Sequence, residues 1–501
     1  MQTEKVSFTS HRILSISTIA FALCFAVWMF NGVFVAFLVD NHVYEWSPVQ
    51  VGWLLAIPVL SGSVFRLFGG ILTDKYGGRW MLTGLLLLCA IPMFLMSYAD
   101  NFLEFALCSF GFGLSGVGFS IGIAYVSVWY PREWQGRALG IFGAGNFGAG
   151  VTTLVAPTLL KQLTDNRTNM DGWRQLPQYY ATALVAMAVV FFLLTSNKKS
   201  ESAAKKSFAQ MMLPLKQMRV WRFGLYYYLV FGCFVALSQW LVPYYLNVYS
   251  VSLVTAGLLA TVFSMPSGLI RILGGWMSDK FGARKVMYWI FIASALLCFL
   301  LIVPKMVIDS PGEGVMAKQA GTVTLVSDTL IVIDGLRYPL IKKPQDAADE
   351  EIKFAAFPKK RNWQVPMVRE GETVAKKQVI ARGTTNITFQ ANIWIATFFI
   401  FMVGIIWGIG KAAVYKHIPN YFPNDVGAVG GMVGVLGGLG GFFSPIIFGY
   451  LLKWTGLWTS MWIFLFIISV VCLLWMHSVI THMADTAAPQ TKGKFETLNG
   501  N

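Results

Sequence analysis

The stretch RLFGGILTDKYGGR, Arg66–Arg79, decides the fold, because it returns as RILGGWMSDKFGAR at Arg271–Arg284. Each copy opens on an arginine inside an apolar run, passes two adjacent glycines and ends on an Asp-Lys pair, a glycine and a second arginine. The copies stand 205 positions apart. A second pair, GAGNFGAGVTTLVAP ending at Pro157 and GMVGVLGGLGGFFSP ending at Pro445, stands 288 apart. The chain is therefore a duplication whose second half carries 83 additional residues, and the polar stretch 304–388 accounts for them.

Composition says what is duplicated. Of 501 residues 56% are hydrophobic and only 13% charged, and the mean hydropathy is +0.59, which suits a polytopic membrane protein and not a soluble one. A helix needs about 20 apolar residues to cross a bilayer. Runs of that kind fall at 13–38, 50–73, 80–98, 103–129, 138–160, 178–195, 222–246, 253–277, 286–303, 390–411, 426–450 and 457–480, numbered here as spans 1 to 12. The first is too long for a signal-peptide core and lacks a small-residue cleavage site, so it is expected to be retained.

The short loops after the even-numbered spans 2 to 10 hold fourteen Lys and Arg, and those after spans 1, 3, 5, 7 and 11 hold four. This bias places both termini in the cytoplasm of a cell whose cytoplasmic (inner) membrane the chain crosses. It also accounts for the net charge of +15 without nucleic acid as a partner; the expected partner is the lipid bilayer. The six cysteines lie in apolar spans without metal-ligand spacing, so neither a disulfide framework nor a metal site is expected, and no cofactor is called for.

These features divide the chain into an N-terminal six-helix half (1–196), a cytoplasmic linker (197–220), spans 7–9 (221–303), an insertion (304–388), spans 10–12 (389–480) and a cytoplasmic tail (481–501). The insertion contains GTVTLVSDTLIVIDG and VPMVREGETVAKKQVIARG, short β-branched runs separated by Gly and charge, which read as a small extracytoplasmic β unit. The second run resembles the rhythm of barrel-sandwich domains but has no equivalent of their modifiable lysine. A cap or spacer is the expected role.

Arg66 lies about 12 Å along a helix axis from Asp74. With Asp74 at the cytoplasmic rim, Arg66 lies near the middle of a core roughly 30 Å thick, and Arg271 stands in the same relation to Asp279. An uncompensated charge at that depth costs several kcal/mol at least (~3 or more). The interiors of the twelve runs hold no Asp or Glu to offset it; Asp40, Asp74, Glu104, Asp279 and Asp425 sit at span ends. An exchangeable anion is therefore expected between the two arginines, whose planar forks can each donate two parallel hydrogen bonds to an oxyanion. The remainder of each block, Gly70, Asp74, Lys75 and Arg79 with Gly275, Asp279, Lys280 and Arg284, reads as a gate between the halves.

Spans 5 and 11 are dense in glycine, which lets helix backbones approach closely. Within span 5, Asn146 offers a donor and an acceptor on an otherwise smooth face; offset by 288, it matches Gly434, and Gly143 matches Gly431. Tyr227 and Phe231, one turn apart in span 7, and Phe119 in span 4 could cover the faces of a flat anion. Gly143, Gly431 and Gly434 complete the candidate binding set.

Together the blocks resemble the major facilitator superfamily. GIFGAGNFGAGVTTLVAP, GGMVGVLGGLGGFFSP, Arg66 and Arg271 resemble the signature stretches and paired arginines of its nitrate/nitrite porter family. The resemblance implies an all-α membrane protein of twelve transmembrane helices in two pseudo-symmetric halves. It implies nitrate and nitrite as ligands, gripped by Arg66 and Arg271 with Asn146 alongside and Phe119, Tyr227 and Phe231 lining the cavity. Gly434 stands where some bacterial members carry serine. The expected function is nitrate/nitrite exchange by alternating access, by a monomer; proton-coupled nitrate symport and an anion sensor are the alternatives. Nothing in the chain resembles a catalytic triad, and no enzyme activity is expected.

Overall fold

The computed structural model describes residues 7–198, 213–302, 306–343, 359–389, 392–422 and 426–486. The 199–212 part of the linker, Asp425 and the 487–501 part of the tail lie outside these residues. The chain forms two compact units, one of residues Met1–Ile302 with Thr397–Asn501 and one of Val303–Ala396.

The first unit is all helix. Among the described residues eleven helical segments are long and apolar enough to cross a bilayer, and the bent pair Leu253–Leu269 and Arg271–Phe281 completes twelve. Span 2 starts at a Ser47 cap that exchanges hydrogen bonds with Gln50 around Pro48, which fixes the entry of the chain. The repeated blocks end identically: the Tyr76 and Phe281 helices stop at Gly77 (φ 89°) and Gly282 (φ 86°). Only glycine takes that backbone cheaply, which accounts for the G that follows each Asp-Lys-aromatic triplet.

Span 10 departs from expectation. Its helix runs from Ile393 to Tyr421, so Lys411, at the margin of the expected run, lies inside the helix, and Lys416 is on the helix and not in a loop. Three glycines in the run 404–410 and the cations after it lower the local hydropathy, so the apolar stretch ends well before the helix does.

Many spans are interrupted at mid-length. Span 1 breaks between Trp28 and Asn31, span 2 between Val64 and Arg66, and span 8 between Leu269 and Arg271 with a bend of 46°. Spans 4 and 5 tighten into 3-10 turns at Leu114–Val117 and Gly145–Phe147, and span 7 widens into a π turn at Tyr228–Cys233. Such irregular backbone is tolerated at membrane depth where it is buried in protein or lines a cavity.

The two halves meet through spans 1 and 7, 2 and 11, and 5 and 8. Their close approaches cluster toward the extracytoplasmic ends: Gly52 lies against Pro445, Gly449 against Pro48 and Gly257 against Pro157. Thr153 and Thr261 share a 2.8 Å hydrogen bond, and Gln239 Nε2 donates to the Leu55 carbonyl at 3.2 Å. The outer side of the bundle is thus sealed by contacts across the two halves.

The second unit is β-rich, in line with its sequence. Seven strands, β1 (Met306–Met316), β2 (Gly321–Val326), β3 (Leu330–Ile333), β4 (Leu336–Pro339), β5 (Lys359–Pro366), β6 (Thr373–Val374) and β7 (Val379–Phe389), form two antiparallel sheets ordered β1-β7-β5 and β4-β3-β2-β6, and no closed barrel among the described residues. Asp334 and Gly335 (φ 43° and 82°) make the two-residue turn that the Asp-Gly pair predicts. Val323, Ile331, Ile333, Tyr338, Val374 and Ile380 form its own core. The long β1 and β7 pair from Met306↔Phe389 onward, which brings the two ends of the unit together.

Candidate functional site

Arg66 and Arg271 occupy equivalent places, each the first residue after a break in its span. The breaks turn both side chains toward the aromatic side chain of Phe119, whose ring centre is 5.5 Å from the Arg66 Cζ and 5.6 Å from the Arg271 Cζ. The two guanidiniums are therefore no more than about 11 Å apart.

Arg66 is 4% exposed. Its Nε donates to the Gly116 carbonyl at 3.1 Å, in the tightened turn of span 4, and its plane lies by the rings of Trp28 (4.8 Å) and Phe231 (5.2 Å). Nη1 and Nη2 are buried and have no protein partner. Arg271 lies 5.7 Å from the Tyr415 ring, and its buried Nη1 likewise has no partner. Aromatic faces stabilise a guanidinium by about 0.5–2 kcal/mol each, which orients the forks but does not replace the lost hydration.

Three further candidate atoms are buried without partners. Both amide atoms of Asn146 (1% exposed) and the Tyr227 hydroxyl are unpaired. Tyr227 stacks on Phe231 at 4.9 Å and 9°, a geometry set by the π turn between them, and Gly437 is required because any Cβ there would enter the Tyr227 ring. Buried polar groups are almost always satisfied, so the open Nη donors of the two arginines on either side of Phe119 suit a molecule that accepts hydrogen bonds.

The remaining candidates fall into place unevenly. A Cβ at Gly143 would stand 3.6 Å from Arg271 Nη1, so its glycine keeps space open beside that fork. Gly431 faces Leu67 at 3.9 Å. At Gly434 a Cβ would lie 3.1 Å from the Tyr415 hydroxyl, which donates to the Gly430 carbonyl at 3.0 Å. Here a tyrosine hydroxyl fills the space a serine at 434 would need.

The block residues make contacts inside their own halves. Arg79 Nε donates to the Phe192 carbonyl at 2.8 Å; Arg284 donates to the Tyr421 hydroxyl; Asp279 pairs with Lys416 at 2.5 Å. Lys75 lies over the Tyr76 ring and Lys280 over those of Trp276 and Phe281. Gly70 and Gly275 face open space, while Gly69 and Gly274 carry the close approaches to Val117 and Ile409. The two arginine contacts tie span 3 to span 6 and span 9 to span 10, the ion pair ties span 8 to span 10, and the glycines pack span 2 on span 4 and span 8 on span 10.

Three residues of the site are missing from the set read off the sequence, two of them for want of any signal. Trp28 and Tyr415 are indistinguishable among 18 Trp and 18 Tyr. Lys411 carries a signal, a cation in an apolar run, the same one that singles out Arg66. It is fully buried; its Nζ lies 3.1 Å from Ser267 Oγ and over the Phe234 ring. Ser267 is one turn before Arg271 on the adjoining half-helix, so Lys411 braces the segment that presents the second fork.

The arrangement holds two charged forks and one phenol around shared aromatic faces, with no carboxylate among the contacts. It suits a small, flat, singly charged oxyanion. Among the described residues no group of His, Cys, Asp or Glu could hold a metal ion.

The sequence profile of the Major Facilitator Superfamily matches residues 16–324. A protein of Thermus thermophilus described as a probable nitrate/nitrite antiporter, NarK1, is 37% identical over 99% of this chain and 97% of its own length. A nitrite extrusion protein of Bacillus subtilis (strain 168) is 25% identical over 89% of this chain and 88% of its own. Among solved structures, a bacterial homologue of the human lysosomal transporter Spinster, inward-facing and occupied, superposes with a TM-score of 0.63 at 12% identity, covering 99% of this chain and 100% of that one. The last likeness concerns the fold alone.

Proposed function

The chain belongs to the major facilitator superfamily, and from that premise we propose that it exchanges nitrate for nitrite across the cytoplasmic membrane. It is a secondary transporter that works by alternating access: the outer contacts between spans 5 and 8 and between spans 2 and 11 open as the inner side closes, with the anion held between the halves. One observation carries the substrate assignment. The free Nη atoms of Arg66 and Arg271 lie buried around Phe119 with no acidic partner, and a planar monovalent oxyanion of nitrate's size matches both forks and the ring. The names of the relatives support the same choice. Proteoliposomes loaded with nitrite should take up isotopically labelled nitrate from outside; vesicles that do not would refute the assignment.

Lys411 favours a second reading, proton-coupled nitrate symport, because it is a buried titratable group next to the site. In the first reading it is a positioning residue. Lys411→Met should then keep the fold and weaken nitrate binding about tenfold, the worth of a hydrogen bond to a charged group. Ser267→Ala removes the same bond from the other side and should match it. A large effect of Lys411→Met with none from Ser267→Ala would show that the amine acts through its charge or its proton.

The β-rich unit enters the proposal as an extracytoplasmic accessory. Because β1 and β7 bring its ends together, a short Gly/Ser linker can replace residues 306–389 without stretching spans 9 and 10. We expect the shortened protein to keep more than about half of the exchange rate, since the duplicated halves contain every residue of the site. Loss of exchange in a correctly inserted, monodisperse variant would make the unit part of the transport cycle.

A further inference from the structure

A second basic cavity lies at the cytoplasmic end of the C-terminal half, enclosed by spans 7, 9, 10 and 12. Arg222, Tyr226, Arg284, His417 and Tyr421 line it on one side, and the apolar ends of span 12, Val479 and Ile480, on the other. It is separate in sequence from the central site: none of these residues belongs to the binding set around Arg66 and Arg271.

Its floor is aromatic and rigid. Phe223 stacks on the His417 ring at 5.5 Å and 12°, and packs on Tyr421 at 5.7 Å. Arg219 and Arg284 both lie against the Tyr421 ring, at 5.3 and 5.9 Å, and Arg284 also donates to the Tyr421 hydroxyl. Two arginines thus line the cavity, with Arg219 on the Tyr421 ring outside it. The spans that enclose it, Met218–Tyr249, Ala283–Leu300, Ile393–Ile418 and Ser460–His482, contain no Asp or Glu at all. Asp279, on span 8, is paired with Lys416.

The cavity also holds a polar group without a protein partner. Tyr226 is 2% exposed and its buried hydroxyl has no hydrogen-bond partner. His417, 5% exposed, offers a ring nitrogen beside it. A buried phenol without a partner beside two guanidiniums suits a ligand that is anionic and rich in acceptors. We propose that this cavity is a phosphate-type oxyanion site, with the phenol, the imidazole and the Arg222 and Arg284 forks as its donors. The apolar wall from span 12 fits acyl chains, so an anionic phospholipid headgroup of the inner leaflet is the source that the lining matches best; free phosphate offers the same chemistry. Occupancy would join spans 7 and 10, which carry Tyr227 and Tyr415 into the central site, to the lipid around them.

The test is binding to the purified full-length protein at fixed ionic strength, with nitrate saturating the central site. Unfolding temperature is followed while short-chain phosphatidylglycerol, the corresponding phosphatidylcholine, or inorganic phosphate is titrated. Stabilisation by phosphatidylglycerol alone identifies the headgroup; stabilisation by phosphate as well, or by phosphate alone, identifies an oxyanion site open to the cytosol. Either response should weaken about tenfold in Arg222→Gln and in Tyr226→Phe, each of which removes donors to the anion. Tyr226→Phe changes one atom in a packed site and serves where Arg222→Gln does not fold. No stabilisation by phosphatidylglycerol or phosphate, equal stabilisation by phosphatidylcholine, or an unchanged response in both variants would overturn the site. The readout does not use transport, so its failure leaves the exchange assignment standing, and the converse holds too.

Discussion

Arg66→Lys is expected to lower nitrate affinity about a hundredfold while the protein stays folded, and Arg271→Lys to do the same; a bond to a charged group is worth about 1.5–3 kcal/mol, and lysine loses the two that the fork directs at one anion. The charge is retained in both variants, so electrostatics of the bundle change little. What changes is direction: a guanidinium held by Gly116 and by the faces of Trp28, Phe231 and Phe119 aims two nitrogens at one place, and an ammonium on a flexible stem does not. Folding should survive because neither Nη of Arg66 bonds to protein. Trp28, 4.8 Å from the guanidinium, supplies a fluorescence signal for the titration in detergent. Wild-type affinity in either variant would mean that charge alone holds the anion, and the two-fork site would have to be abandoned.

The sequence carries this site because the membrane makes charge conspicuous. Arg66 and Arg271 can be picked out without any coordinates, since an arginine in an apolar run with no acidic neighbour needs a counter-charge from outside the chain. Repetition at 205 and 288 residues then separates the two halves and locates the insertion. Chemistry that is not rare in the chain stays hidden. Trp28 and Tyr415 join the site through tertiary packing, and one aromatic among 39 Phe, 18 Trp and 18 Tyr carries no address. The first of the breaks that aim the arginines is hidden as well: Val64-Phe65-Arg66 contains neither Gly nor Pro, whereas the second follows Pro266 and Gly268. Lys411 escapes because the apolar run stops there while the helix continues to Tyr421; glycines in span 10 lower the hydropathy on which the boundary rests.

Nitrate uptake should depend on an anion waiting on the other side. At the widest separation that Phe119 allows, about 11 Å, two unshielded guanidiniums repel by roughly 1.5 kcal/mol at an effective dielectric constant of about 20. A monovalent anion midway, about 5.5 Å from each, reverses the sign, with an attraction of about 3 kcal/mol per arginine in the same medium before its dehydration is counted. Crossing with an anion is therefore favoured, and crossing empty is slowed by about tenfold or more, because the transition brings both forks into a closed, poorly hydrated centre. Vesicles loaded with nitrite should accumulate labelled nitrate at least about tenfold faster than vesicles loaded with an inert buffer. One-for-one exchange of monovalent anions moves no net charge, so a potassium diffusion potential should leave the initial rate unchanged. An inward proton gradient should also leave it unchanged if Lys411 only braces span 8 through Ser267. Concentrative nitrate uptake into anion-free vesicles, driven by that gradient and abolished in Lys411→Met, would instead make the amine the proton carrier and the protein a symporter. The central forks would keep their role in either case, because the gradient decides what returns with the empty site and not how the anion is held.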